Sequence, residues 1–170
     1  MKCSTLRLFL PLVVGIILAS TGCASAQIVV LGHSAAHGYV AANEMWSAVL
    51  ESMLRARGSQ VHVTNAGVNG ETTEAELARV DSALPNGTRL VILTINGFND
   101  AHKLANGAAG AAANIAAIKR KISARGIRII DAMGTYISVL RQPGMALLDH
   151  LHLNVEGNKK MAAIVAGMVR

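Results

Sequence analysis

Apolar and polar positions follow two periods along this chain. Runs at residues 28–31, 60–64, 89–95 and 127–130 are short, rich in Val and Ile, and bounded by polar or glycine residues, as strands are. Between them, apolar residues recur three and four apart. Met45, Val49 and Met53, with Leu50 and Leu54, mark a helix over 43–57 that Asn43 caps and Gly58 stops. Thr73 with Glu76 reads as a capping box, opening a helix that ends before Pro85. An Ala-rich helix is predicted over 108–125 and a last one over 154–169. Residues 135–148 fit neither period, although Pro143-Gly144 marks a turn.

Strands alternating with helices predict an α/β fold, a parallel sheet covered on both faces. The sheet is expected to have about four to five strands. No internal repeat or linker interrupts the pattern, so residues 27–170 read as one domain.

The N-terminal segment follows a different rule. Lys2 and Arg7 precede an apolar run over 8–18, and Ala24-Ser25-Ala26 follows as a small-x-small cleavage site. This is the layout of an export signal over 1–26, cleaved before Gln27. The expected location is therefore periplasmic or secreted. A rival reading makes Cys23 a lipidation site and the protein membrane-attached; Ser20, three residues before it, fits that pattern poorly. Cys3 and Cys23 are the two cysteines of the chain. The mature domain would have none, which excludes a cysteine nucleophile and thiolate metal sites.

Charge and composition narrow the classes further. The chain is 52% hydrophobic and 15% charged, too apolar for disorder. Without Lys2 and Arg7, 14 basic residues face 10 acidic ones. Lys119-Arg120-Lys121 lies on a predicted helix and reads as a solvated face. Aromatics are few and no recognition motif is present, so nucleic acid is not an expected partner. His33 and His37 are four apart, but no carboxylate accompanies them at zincin spacing, so no metal or other cofactor is expected.

Three strands end in polar, glycine-containing loops: His33-Ser34, Asn69-Gly70 and Gly97-Phe98-Asn99. In a parallel sheet these loops share one edge, where α/β folds hold ligands. Asp149 and His152 precede the last helix, three apart, a spacing that puts both on one side of a helical turn. A serine hydroxyl needs a base to take its proton, and a histidine with an unperturbed pKa near neutrality suits the task. A carboxylate fixes that histidine's tautomer. Ser34, His152 and Asp149 supply the three types. The Ser34 and Gly70 amides and the Asn99 side chain are candidate donors to an oxyanion. His33 and His102 are candidates for the site rim. Each residue also has a plainer reading. Ser34 and Asn99 fit ordinary turns, Gly70 a positive-φ position, and His152 a surface histidine.

Gly32-His33-Ser34, the block Asn65-Ala66-Gly67-Val68-Asn69-Gly70-Glu71-Thr72-Thr73, Gly97-Phe98-Asn99-Asp100 and Asp149-His150-Leu151-His152 together resemble the four ordered blocks of the SGNH, or GDSL, hydrolases. The small arylesterase and acyl-thioesterase-like branch is the most similar. The resemblance implies a flavodoxin-like three-layer α/β/α fold and hydrolysis of small esters or thioesters. It implies Ser34 as nucleophile, Asp149 and His152 as its partners, and Gly70 and Asn99 as oxyanion donors. Two features depart from the family pattern. Gly-His-Ser replaces the usual Gly-Asp-Ser, and a strand and helix are missing before the Asp-x-x-His block. That short segment predicts a shallow, lidless site for acyl groups from acetyl to about hexanoyl. A non-catalytic binding module, a carbohydrate O-deacetylase and a lysophospholipase remain open as rival readings.

Overall fold

The computed structural model describes residues 27–169. The expected leader, with Cys3, Cys23 and its cleavage site, lies outside the described residues. Four parallel strands form the sheet: β1 (Gln27–Gly32), β2 (His62–Gly67), β3 (Thr88–Thr94) and β4 (Arg128–Asp131). Their spatial order is β2-β1-β3-β4. The central strands β1 and β3 alternate their side chains between two cores, as the pleat requires. Ile28, Val30, Leu90 and Ile92 face one core, and Val29, Leu31, Val91 and Leu93 face the other.

Helices cover both faces. On the first lie α2 (Trp46–Ala56), α6 (Met133–Leu140) and α7 (Val155–Met168), contributing Leu50, Val139 and Met161. On the second lie α3 (Thr73–Ala83) and α5 (Ala111–Ala124), contributing Val80, Ile118 and Ile122. The result is the three-layer α/β/α sandwich expected. Two short helices, α1 (Ser34–His37) and α4 (Phe98–Lys103), follow β1 and β3 at the carboxyl edge. Gly67, the last residue of β2, makes room for α1. A Cβ there would stand 2.2 Å from the backbone nitrogen of His37. Among the described residues no helix is long and apolar enough to cross a membrane.

Several boundaries differ from the sequence expectation. Asn43 does not cap α2. It lies in a 3-10 turn, and the helix starts at Trp46, whose backbone N–H donates to Asn158 Oδ1 at 2.9 Å. Strand β2 continues through Asn65-Ala66-Gly67, expected as loop, because these residues pair with Val30, Leu31 and Gly32. The cap of α3 is Thr72, which accepts from the Ala75 N–H. Thr73 instead donates its hydroxyl to Asp100 at 2.5 Å, and Glu76 is fully buried. Residues 98–103 form a helix where a loop was expected; six residues are too few for a helical period to show. The unassigned segment resolves into α6 followed by an antiparallel bridge between Ala146 and Leu153. The last helix falls where expected, and its cap is Asn154, whose side chain accepts from the Gly157 N–H.

Candidate active site

The carboxyl ends of β1 and β3, α6 and residues 142–152 enclose a cavity of about 820 Å³. Ser34, Asn99 and His152 all line it. Ser34 opens α1 directly after β1, so the strand's end fixes its position. His152 comes from the turn before α7. Its Nδ1 lies 2.6 Å from Asp149 Oδ2. Asp149 Oδ1 accepts the backbone N–H groups of Leu151 and His152 at 2.9 and 3.0 Å. This is a tight turn rather than the helical turn expected, with His150 at φ 55°. The spacing of three still brings the two side chains together.

Burial alone would raise the Asp149 pKa. The hydrogen bonds from the His152 ring and from the Leu151 and His152 amides outweigh it and hold the carboxyl at about 2. Asp149 is therefore ionised throughout the neutral range. It fixes the His152 proton on Nδ1 and leaves Nε2 as the basic nitrogen. Ser34 Oγ makes no hydrogen bond among the described residues, and it shares the cavity with His152. The Ser34–His152 hydrogen bond that a serine's base makes is thus not formed here. Such bonds often tighten only when substrate arrives.

Asn99 donates one side-chain N–H to the carbonyl of Glu71 at 2.8 Å, which leaves the second available. Gly70, unlike the adjacent Asn69, does not itself line the cavity. Its φ of 69° is the left-handed conformation that glycine tolerates. Its carbonyl accepts from Lys103 Nζ. Buried interactions brace both loops. Arg79 forms a bidentate pair with Glu71 and also donates to the Gly32 carbonyl at 3.4 Å. Asp100 accepts the backbone N–H and hydroxyl of Thr73.

Of the two rim candidates, one lines the cavity and one does not. His33 lines the cavity but is only 3% exposed. Burial lowers its pKa, so the ring is neutral. Its Nε2 accepts the Asn96 N–H at 3.2 Å, which places the proton on Nδ1. His102 is exposed and backs Phe98, at 4.3 Å between ring centroids; Phe98, not His102, lines the cavity.

Sequence reasoning missed several lining residues. Tyr39 stacks on His152 with ring centroids 4.1 Å apart. The Tyr136 hydroxyl donates to the Leu151 carbonyl at 3.3 Å and steadies the Asp149–His152 turn. Met133, Tyr136, Ile137 and Leu140 give the cavity a wall at helical spacing. The segment that predicted a shallow site thus supplies substantial lining. The scarcity of aromatics was the available signal: both tyrosines of the chain line this cavity.

Comparison with known proteins points to one family and one fold. An arylesterase from Vibrio mimicus is 34% identical over 92 residues, 54% of this chain and 46% of that protein. The match therefore spans about half the length of that relative. Among solved structures, TesA superposes with a TM-score of 0.71 at 20% identity, covering 85% of this chain and 98% of the other. The esterase EstA from a Pseudoalteromonas species gives a TM-score of 0.61 at 15% identity over 84% and 95% of the two chains. At these identities the structural likeness is one of fold. The model of the GDSL-like Lipase/Acylhydrolase family matches residues 30–152, from within β1 to the histidine beside Asp149. With most of the chain matched and every block of that pattern at one cavity, this protein belongs to the GDSL-like lipase/acylhydrolase family.

Proposed function

We propose that this protein is an exported serine esterase that hydrolyses small carboxylic esters or thioesters through an acyl-enzyme on Ser34. The observation that carries this reading is the 2.6 Å contact between Asp149 and His152 Nδ1, at a cavity that Ser34 and Asn99 share. In the first half-reaction His152 Nε2 takes the Ser34 proton as Oγ attacks the carbonyl carbon. Asp149 stabilises the imidazolium that results. The free N–H of Asn99 and the Ser34 amide receive the oxyanion, and the Gly70 amide, next to the lining residue Asn69, is the third donor that the family resemblance implies. Collapse of the tetrahedral species expels the alcohol or thiol, which takes the proton from His152. Water, activated by the same imidazole, then releases the acid and restores Ser34.

His33 supports the catalytic reading over a non-catalytic module. As a neutral acceptor for the Asn96 N–H it supplies the turn with the acceptor an aspartate would provide. Export rests on the N-terminal sequence alone; the intact mass of the mature protein tests cleavage before Gln27 against lipidation of Cys23. Ester hydrolysis itself is tested by Ser34→Ala. The variant should lose roughly 10⁴-fold or more in kcat while keeping its fold. Near-normal turnover would remove Ser34 from the mechanism.

A further inference from the structure

Tyr39 bridges the two loops on which this reading depends. Its ring lies on the imidazole of His152, with centroids 4.1 Å apart and planes tilted by 42°. Its hydroxyl donates to Asn69 Oδ1, one residue before Gly70. His37 meets the same ring edge-on, with centroids 5.8 Å apart. The side chain is 43% exposed, so it contributes little to the core.

We propose that Tyr39 is a positioning residue: its ring sets the plane of the His152 imidazole, and its hydroxyl locks that ring to the oxyanion loop. The inference rests on the serine-hydrolase reading. The backbone N–H of His152 also bonds Asp149, but a single hydrogen bond, at Nδ1, holds the imidazole ring itself, and the ring can still swing about that contact. Swinging would carry Nε2 away from Ser34. Tyr39 closes one face of the imidazole and blocks that motion. It also acts when charge develops. As Nε2 takes the serine proton, the imidazolium lies against the electron-rich face of the phenol ring, which favours the cation. Both effects act on the chemical step rather than on substrate binding. The bond to Asn69 keeps the base and the oxyanion donors in one frame, which near-attack geometry demands.

The test compares Tyr39→Phe, which keeps the ring, with Tyr39→Leu and Tyr39→Ser, which remove it. Each is assayed on one p-nitrophenyl ester, and each fold is checked by circular dichroism. Tyr39→Leu and Tyr39→Ser should lower kcat about tenfold with KM within about twofold, and Tyr39→Phe should recover all but about threefold of kcat. A ring-less variant with wild-type kcat, a loss confined to KM, or a Tyr39→Phe variant no better than Tyr39→Leu would each overturn the positioning role while leaving the esterase reading intact. A wild-type protein inert to esters would overturn the esterase reading and this inference with it.

Discussion

The imidazole Nε2 of His33 accepts the backbone N–H of Asn96 at 3.2 Å, tying the turn before Ser34 to the loop before Asn99. A protonated ring could not accept that hydrogen bond. The His33 pKa is depressed by burial, so the folded protein resists protonation at this site. Below the unfolded value of about 6.5 the unfolded chain takes up a proton that the folded one refuses. Stability therefore falls on acidification between about pH 6.5 and the lower folded pKa. Asn at this position keeps an acceptor and does not titrate. In thermal melts from pH 7 to pH 5, His33→Asn should lose less stability than the wild type. Equal slopes would show that His33 is not buried neutral. His33→Asp should keep or raise kcat.

Asn99→Ala should lower kcat by roughly 10²–10³-fold if its free N–H is the oxyanion donor proposed. KM should change less, since the ground-state carbonyl carries little of that charge. Steady-state kinetics on one ester separates the two. A pure KM effect would assign Asn99 to ground-state binding.

Glu76 is fully buried, and among the described residues neither carboxyl oxygen has a hydrogen-bond partner. Burial raises its pKa to about 8; Arg79, 3.8 Å away, offsets this in part, and Glu71 and Asp100 add to it. From about pH 4.5 to 8 the unfolded chain releases a proton that the folded protein keeps, so stability falls as pH rises. Glu76→Gln mimics the protonated acid. It should raise stability by roughly 2–4 kcal/mol at pH 8 and by much less at pH 5. Denaturant melts at the two pH values measure the difference. A variant less stable at both would mean that ionised Glu76 serves the Arg79 network.

The alternating apolar runs and the helical spacing of Leu50 and Leu54 made the layers legible, because burial on a sheet or helix face dictates those patterns. The Asp149–His152 pairing was legible as a spacing. The features that escaped depend on distant partners. Nothing local to Trp46 announces that Asn158 will receive its N–H. Nothing near Thr73 announces that its hydroxyl belongs to Asp100, which displaces the cap to Thr72. Tyr39 reaches His152 across more than a hundred residues. The wall formed by α6 was hidden because an eight-residue helix gives barely two turns of period.

That wall sets a prediction on substrate size. Met133, Ile137 and Leu140 offer more apolar lining than a site for acetyl groups requires. Each methylene they cover contributes up to about 0.8 kcal/mol. The ratio kcat/KM should therefore rise from acetyl at least to hexanoyl esters of one alcohol. Ile137→Trp should flatten that rise by about tenfold at hexanoyl with little change at acetyl. A series flat in the wild type would place the acyl group away from α6.

The central claim is that Ser34 is a nucleophile activated by His152. A fluorophosphonate reports this directly, because it phosphonylates only an activated serine and leaves a stable adduct. The mature protein should gain one adduct mass, located on the peptide containing Ser34, with loss of ester hydrolysis in proportion. Ser34→Ala should gain none, and His152→Ala should react at least about a thousandfold more slowly. An unlabelled wild-type protein, or an adduct on a different residue, would contradict the account.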